Sequence, residues 1–226
     1  ELDKLFQEKD KLDLKKKTTK EENNWVGWEE LIQIRKKYKA KLKKKGYKIS
    51  SKKLKDDDDL YLIIKYVLAS LYVLHPPRRN IYANTKIINE RGYFNLTEKE
   101  RQNNNYLVVI SRNNKFFSFA DYKTAKIYGI KKIKLEKELN SVMNMWLNFN
   151  KTKDLLITRR GKKLSSNNLS KYLVDTFSPS GKKISSQMLR KIHLTEKWKP
   201  IQDEMENDAK MMGHSVATQQ TKYVKK

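Results

Sequence analysis

Apolar positions recur at helical spacing from Trp25 to Gly46: Trp28, Leu31, Ile34, Tyr38 and Leu42 fall on one side, and Lys36, Lys37, Lys39, Lys41, Lys43, Lys44 and Lys45 fill the rest. That pattern predicts an amphipathic helix with Gly46 as its stop. Upstream, residues 1–24 are charged and poor in large apolar groups, with Leu2, Leu5 and Leu12 spaced for a short helix at most. Next, Asp56 to Asp59 precede a nearly continuous apolar run, Leu60 to Leu74, which Pro76 and Pro77 terminate. Carboxylates at a helix start suit the backbone dipole, so a buried helix with a marked beginning is expected here. The period then shortens: Tyr106 to Ser111, Lys115 to Phe119 and Ile130 to Leu135 read as three strands, with Asn113-Asn114 as the first turn. Glu136 to Phe149, Ser166 to Thr176, Ser185 to Trp198, Ile201 to Met212 and Val216 to Val224 read as helices, several with serine at the cap. The expected fold class is α+β, mainly helical with a small three-stranded antiparallel sheet. Residues 1–55 are expected to be a basic linker and helix, and residues 56–226 the main domain.

Charge narrows the partner. The 51 Lys and Arg outnumber the 26 Asp and Glu, for a net charge of +25. An excess of this size implies a polyanion, because the globule otherwise repels itself. Double-stranded DNA fits better than a membrane surface, since no segment pairs Trp or Phe with the lysines in the way an interfacial helix would. Arg35, Lys36, Lys39 and Lys43 on the first helix, and Arg78 further on, are candidate phosphate contacts; the alternative for the lysine coat is a solvated helix face. There is no cysteine and only His75, His193 and His214, so disulfides, thiolate nucleophiles and Cys-based zinc sites are excluded and a metal site is not expected. No apolar run is long enough to span a bilayer and no signal peptide is visible, which points to an intracellular protein. The sequence opens on Glu1 rather than methionine, so a missing amino-terminal part is expected.

Three clusters carry candidate chemistry: His75-Pro76-Pro77-Arg78-Arg79, Gln187-Met188-Leu189-Arg190, and Met212-Gly213-His214-Ser215 with Tyr223 nine residues after the histidine. Phosphodiester displacement needs a nucleophile in line with the leaving oxygen, cations on the non-bridging oxygens, and a proton for the departing alkoxide. A guanidinium can hold two phosphate oxygens and stays charged at any working pH. A phenol with a free pKa near ~10 needs a base or a positive field before it attacks.

In this order, Arg79, Arg190, His214 and Tyr223 resemble the active-site signature of the tyrosine recombinases, the phage-integrase family. The resemblance covers residues 56–226 and implies that family's catalytic-domain fold. It makes Tyr223 the nucleophile, His214 a catalytic partner, and Arg79 and Arg190 the clamps. Pro76-Pro77-Arg78-Arg79 stands where many members have Thr-Gly-x-Arg, and Tyr82 where an acidic residue is common; between Arg78 and Arg79 the choice is Arg79. Gln187 occupies the histidine position of the His-x-x-Arg motif, where it can donate a hydrogen bond but not exchange a proton at neutral pH. His193 reads as a helix-surface or supporting histidine. Lys123-Thr124 resembles the family's hairpin Lys-Thr, which makes Lys123 the general acid for the 5′ oxygen, with Lys126 as the alternative.

The family likeness further implies site-specific recombination or integration through a 3′-phosphotyrosyl intermediate, with no ATP, nicotinamide or metal cofactor. It implies a homo-oligomer, usually a tetramer, on DNA, and an amino-terminal DNA-clamping domain of which residues 1–55 are expected to be a remnant or the connection. Richness in Lys, Asn and Ile suits an AT-rich genome such as that of a virus or virophage. The alternatives are a type IB topoisomerase or telomere resolvase within the same chemistry, and a non-catalytic basic DNA-binding module outside it.

Overall fold

The computed structural model describes residues 16–56 and 58–224; the helix considered around Leu2, Leu5 and Leu12 lies outside them. Thr18 opens the described part with a reciprocal cap on Glu21, starting the short helix α1 (Thr19–Asn23). Helix α2 (Trp28–Lys44) follows the expected stripe, burying Leu31, Ile34, Tyr38 and Leu42 and leaving its lysines outside. Gly46 ends it with φ +78°, a conformation that glycine adopts without penalty.

The apolar run becomes α3 (Asp59–Val73), buried over most of its circumference because it lies between α2 and two later helices. Asp59 lies in the first turn, as expected, and Asp56 accepts from the Asp58 N–H at 3.0 Å. Asp58 makes no side-chain capping bond, and Asp59 is buried, accepting from the Lys45 ammonium and the Tyr47 hydroxyl. Its carboxylate therefore ties the turn after α2 to the start of α3.

Val26 to Tyr47 share the core of the rest of the chain. One large core runs from Val26 to Ile192, and the Tyr38 hydroxyl donates to the Thr176 carbonyl at 2.6 Å across it. Arg35 needs a correction for the same reason: it is buried, and its guanidinium is ion-paired with Glu138 at 2.9 Å, so it is not presented to DNA. Lys36, Lys39 and Lys43 remain exposed.

The sheet also differs from expectation. It has four strands in the order β1 (Thr85–Asn89), β2 (Asn105–Val109), β3 (Lys115–Phe119), β4 (Lys131–Lys134), with β1 parallel to β2 and the other pairs antiparallel. The row Ile87, Leu107, Phe117, Ile133 faces the main core, while Ile88, Val108 and Phe116 close on Tyr93 in a smaller cluster. The parallel pair requires a crossover, supplied by α4 (Glu90–Phe94) and α5 (Glu98–Asn103). A single turn, α6 (Ala125–Tyr128), interrupts the β3 to β4 connection.

Helices α7 (Lys137–Phe149) and α8 (Ser166–Thr176) match the expected spans and pack on α3. Helix α9 (Ser186–Met211) is one continuous helix where two were expected, with Pro200 inside it. Pro200 and Glu196 are both exposed, so the carbonyl that loses its donor is open to water and the break costs less than it would in the core. The chain then turns at Gly213 into α10 (Val216–Thr218) and a π turn (Gln219–Tyr223). The first turns of α9 bury Met188, Leu189 and Ile192; among the described residues beyond Ile192 only Ala209 is buried. No helix among the described residues is long and apolar enough to cross a membrane.

Candidate active site

The two arginine motifs meet. Pro77 is buried at the end of α3, and the next residues are tied from two directions: the Tyr72 hydroxyl donates to the Arg79 carbonyl at 3.3 Å, and the Asn80 amide donates to Ser166 O and Ser170 Oγ on α8 at 3.0 and 2.9 Å. On the other side, Ser185 caps α9 by accepting from Met188 N–H, and buried Leu189 and Ile192 fix the face that carries Arg190. Ring packing of His193 on Trp28 at 4.7 Å anchors the same turn, which gives His193 a supporting place. Between these elements lies an open cleft of about 520 Å³ lined by Arg79, Gln187 and Arg190, with Asp121, Ser166 and Ser186 around them. Among the described residues neither guanidinium is ion-paired or hydrogen-bonded through its side chain. Two free guanidiniums and an amide in one open cleft can hold two phosphate oxygens, with the Asp121 carboxylate lining the same cleft.

Arg78 does not belong to that cleft. Its guanidinium lies 4.5 Å from the Phe119 ring centroid, and its buried Nε has no hydrogen-bond partner. Burial lowers its pKa, and the charge of Arg190 adds to the effect. Of the two candidates, Arg78 is half-buried against Phe119 and does not line the cleft, whereas Arg79 is exposed and does.

No match to a family model, a curated protein or a solved structure was found. The chemistry of the site has to be read from its own residues.

His214 and Tyr223 form a second constellation. Gly213, with φ +70°, turns the chain so that His214 N–H donates back to the Ala209 carbonyl, and Ser215 caps α10 by accepting from Thr218 N–H. The helical turn and the π turn that follow bring the rings of residues 214 and 223 into a stack with centroids 5.1 Å apart. The histidine Nε2 is buried without a hydrogen-bond partner, and the tyrosine is 63% exposed. Neither residue lines the arginine cleft. Lys123 and Lys126 are exposed on the β3 to β4 connection; Lys123 lies two residues after cleft-lining Asp121, but neither lysine is among the cleft's walls.

Three polar residues were missed at the sequence level. Asn80 and Ser166 buttress the first arginine, and Asp121 puts one carboxylate in the cleft; the polar residue directly after Arg79 was the available signal for the first. Lys115 is a different omission. Its buried ammonium lies within hydrogen-bond distance of Ser111 O, Arg112 O, Asn140 Oδ1 and Asn144 Oδ1, at 2.6 to 3.2 Å. Burial pushes its pKa down to about 8, and the acceptors give it a structural place holding the β2 to β3 turn on α7. Among the described residues no group of three His, Cys, Asp or Glu is placed to hold a metal ion.

Proposed function

We propose that this chain is a DNA strand transferase of the tyrosine-recombinase type. The observation that carries the reading is the pair of unpaired guanidiniums, Arg79 and Arg190, on one open cleft of a chain with a net charge of +25. A phosphodiester held between them has its non-bridging oxygens on two cations, which stabilises the extra negative charge of the pentacoordinate transition state. Gln187 adds a neutral donor. Tyr223 is the nucleophile: its oxygen attacks phosphorus, the bond to the 5′ oxygen breaks, and the 3′ phosphate remains on the tyrosine. The phenolic proton leaves to a base, for which the stacked His214 imidazole is the nearest candidate, and Lys123 or Lys126 delivers a proton to the departing 5′ oxygen. A 5′ hydroxyl from a second duplex reverses the step, and the ester conserves the bond energy. Helix α9 bears Arg190 near its start and leads into the turn that carries His214 and Tyr223, so closure of this arm on bound DNA assembles the whole set. Partners follow from the same reading: double-stranded DNA, and further copies of the chain, since recombination joins more than one duplex.

Arg190→Ala tests the clamp. Strand cleavage is expected to fall by about 100-fold or more, while affinity for duplex DNA changes by less than about threefold, because one cation among many matters most where charge develops. Equal losses of both would make Arg190 part of a general binding surface. They would favour the non-catalytic module, for which the separation of Tyr223 from the cleft is the supporting observation.

A further inference from the structure

The connection between β3 and β4 ends in an apolar point. Ile127 and Tyr128 are 76% and 60% exposed, and neither joins either hydrophobic cluster. The point is held rigidly. At its base, Asn105 accepts from the N–H groups of Ala120 and Asp121 and donates to the Asp121 carbonyl, each at 2.9 Å. At its tip, Tyr122 donates its hydroxyl to the Gly129 carbonyl at 2.7 Å, and Gly129 takes φ +62° and ψ −164°, a combination open only to glycine.

The stretch that carries this point is rich in exposed cations. Lys123, Lys126, Lys131, Lys132 and Lys134 are all exposed, against the single carboxylate of Asp121 in the same stretch, and the Lys131 ammonium lies 5.5 Å from the Tyr128 ring centroid. Asp121, at the base, is also a wall of the arginine cleft. A ligand that satisfies both features must offer phosphates to the lysines and an apolar surface between them. Stacked bases between two sugar-phosphate strands have that arrangement. A lipid headgroup layer shares it, but a cleft with two free guanidiniums that includes Asp121, at the base of the same connection, favours discrete phosphodiesters.

We propose that Ile127 and Tyr128 are a wedge that enters the minor groove and unstacks a base step next to the phosphate held by Arg79 and Arg190. This rests on the strand-transfer reading of the cleft. Insertion of apolar side chains between base steps bends the duplex and exposes more of it to the protein. Because the cost of unstacking depends on the step, the wedge also selects deformable steps such as TA at positions where no base edge is read.

The test is a set of duplexes with 2-aminopurine, whose fluorescence rises on unstacking, placed at successive positions. With the wild-type chain, fluorescence is expected to rise several-fold at one or a few positions. In the Ile127→Ser/Tyr128→Ser variant the rise is lost and affinity falls on the order of tenfold. The dependence on salt keeps its slope in that variant because the lysines remain. Lys131→Ala/Lys132→Ala should do the reverse, lowering the slope by about 2 and keeping the rise at saturating protein. Bound DNA with no fluorescence change, alongside a covalent protein–DNA adduct, would overturn the wedge alone. Absence of DNA binding at low salt would overturn the strand-transfer reading with it. Binding to phosphatidylserine-containing vesicles that depends on Tyr128, with no such dependence on DNA, would make the point a membrane anchor and overturn the proposal.

Discussion

The two halves of the candidate site are held in opposite ways. Arg79 and Arg190 stand on elements whose neighbouring side chains are packed: Tyr72, Pro77, Leu189 and Ile192 are all buried around them. His214 and Tyr223 stand at the end of an arm, residues 194–224, that contributes nothing to either hydrophobic cluster among the described residues and leaves Leu194, Trp198, Ile201 and Met211 exposed. A phosphate clamp benefits from rigid walls, since preorganised charge costs no rearrangement when the transition state forms. A nucleophile that must meet DNA after the duplex has docked benefits from a carrier with few native contacts, because weakly held segments are the ones that move at low cost.

Mutations separate these halves by stability. Trp146 is fully buried and donates its indole N–H to the Leu155 carbonyl at 2.7 Å. Trp146→Ala should cost about 3–5 kcal/mol in urea unfolding. In the arm, Pro200→Ala restores a helix hydrogen bond and should raise local hydrogen-exchange protection of the second half of α9 by up to about 3 kcal/mol. Global stability should stay nearly unchanged. A matching rise in the urea midpoint would show that the arm unfolds with the core and would break the contrast.

Acid should act on the anchored half. His75 lies below the arginine turn, its Nδ1 3.1 Å from the Pro76 carbonyl and 3.3 Å from the Tyr82 hydroxyl, and burial followed by the charge of Arg78 pushes its pKa down to about 4. Between about 6.5 and 4 the unfolded chain binds a proton there that the folded chain does not, so stability should fall as pH drops through that window, by about 2–3 kcal/mol. His75→Gln should flatten the slope over that range. The smallest effect belongs to Trp198→Ala, which removes a large side chain from the arm yet should shift unfolding by less than about 0.5 kcal/mol.

Periodicity made the long elements legible. The stripe from Trp28 to Leu42 and the run from Leu60 to Val73 each have one packing solution, and both appear as helices. Short elements were not legible: Thr85–Asn89 is too polar and brief to announce a strand, and its parallel partner lies beyond two small helices. The break expected between Trp198 and Ile201 is absent, and Pro200 lies within one helix of the exposed arm. At the site, sequence order brought Arg79, Gln187 and Arg190 together, because each follows directly from a strongly marked helix boundary or cap. It could not show that Arg78 turns onto Phe119 or that Arg35 pairs with Glu138, since both depend on contacts between distant segments.

The central claim, that Tyr223 is the nucleophile for a phosphate in the arginine cleft, is tested most directly by trapping. A duplex nicked beside the scissile position releases a short 5′ fragment that cannot attack back, so each cleavage leaves a covalent adduct. Wild-type chain, assayed over a range of protein concentrations in case the arm docks on a neighbouring copy, is expected to form the adduct with the DNA on the peptide containing Tyr223. Tyr223→Phe, with unchanged fold and DNA affinity, is expected to form none. An adduct that persists in Tyr223→Phe, mapped to Tyr122 or Tyr128, would contradict the claim, as would the absence of any adduct from folded, DNA-bound wild-type protein.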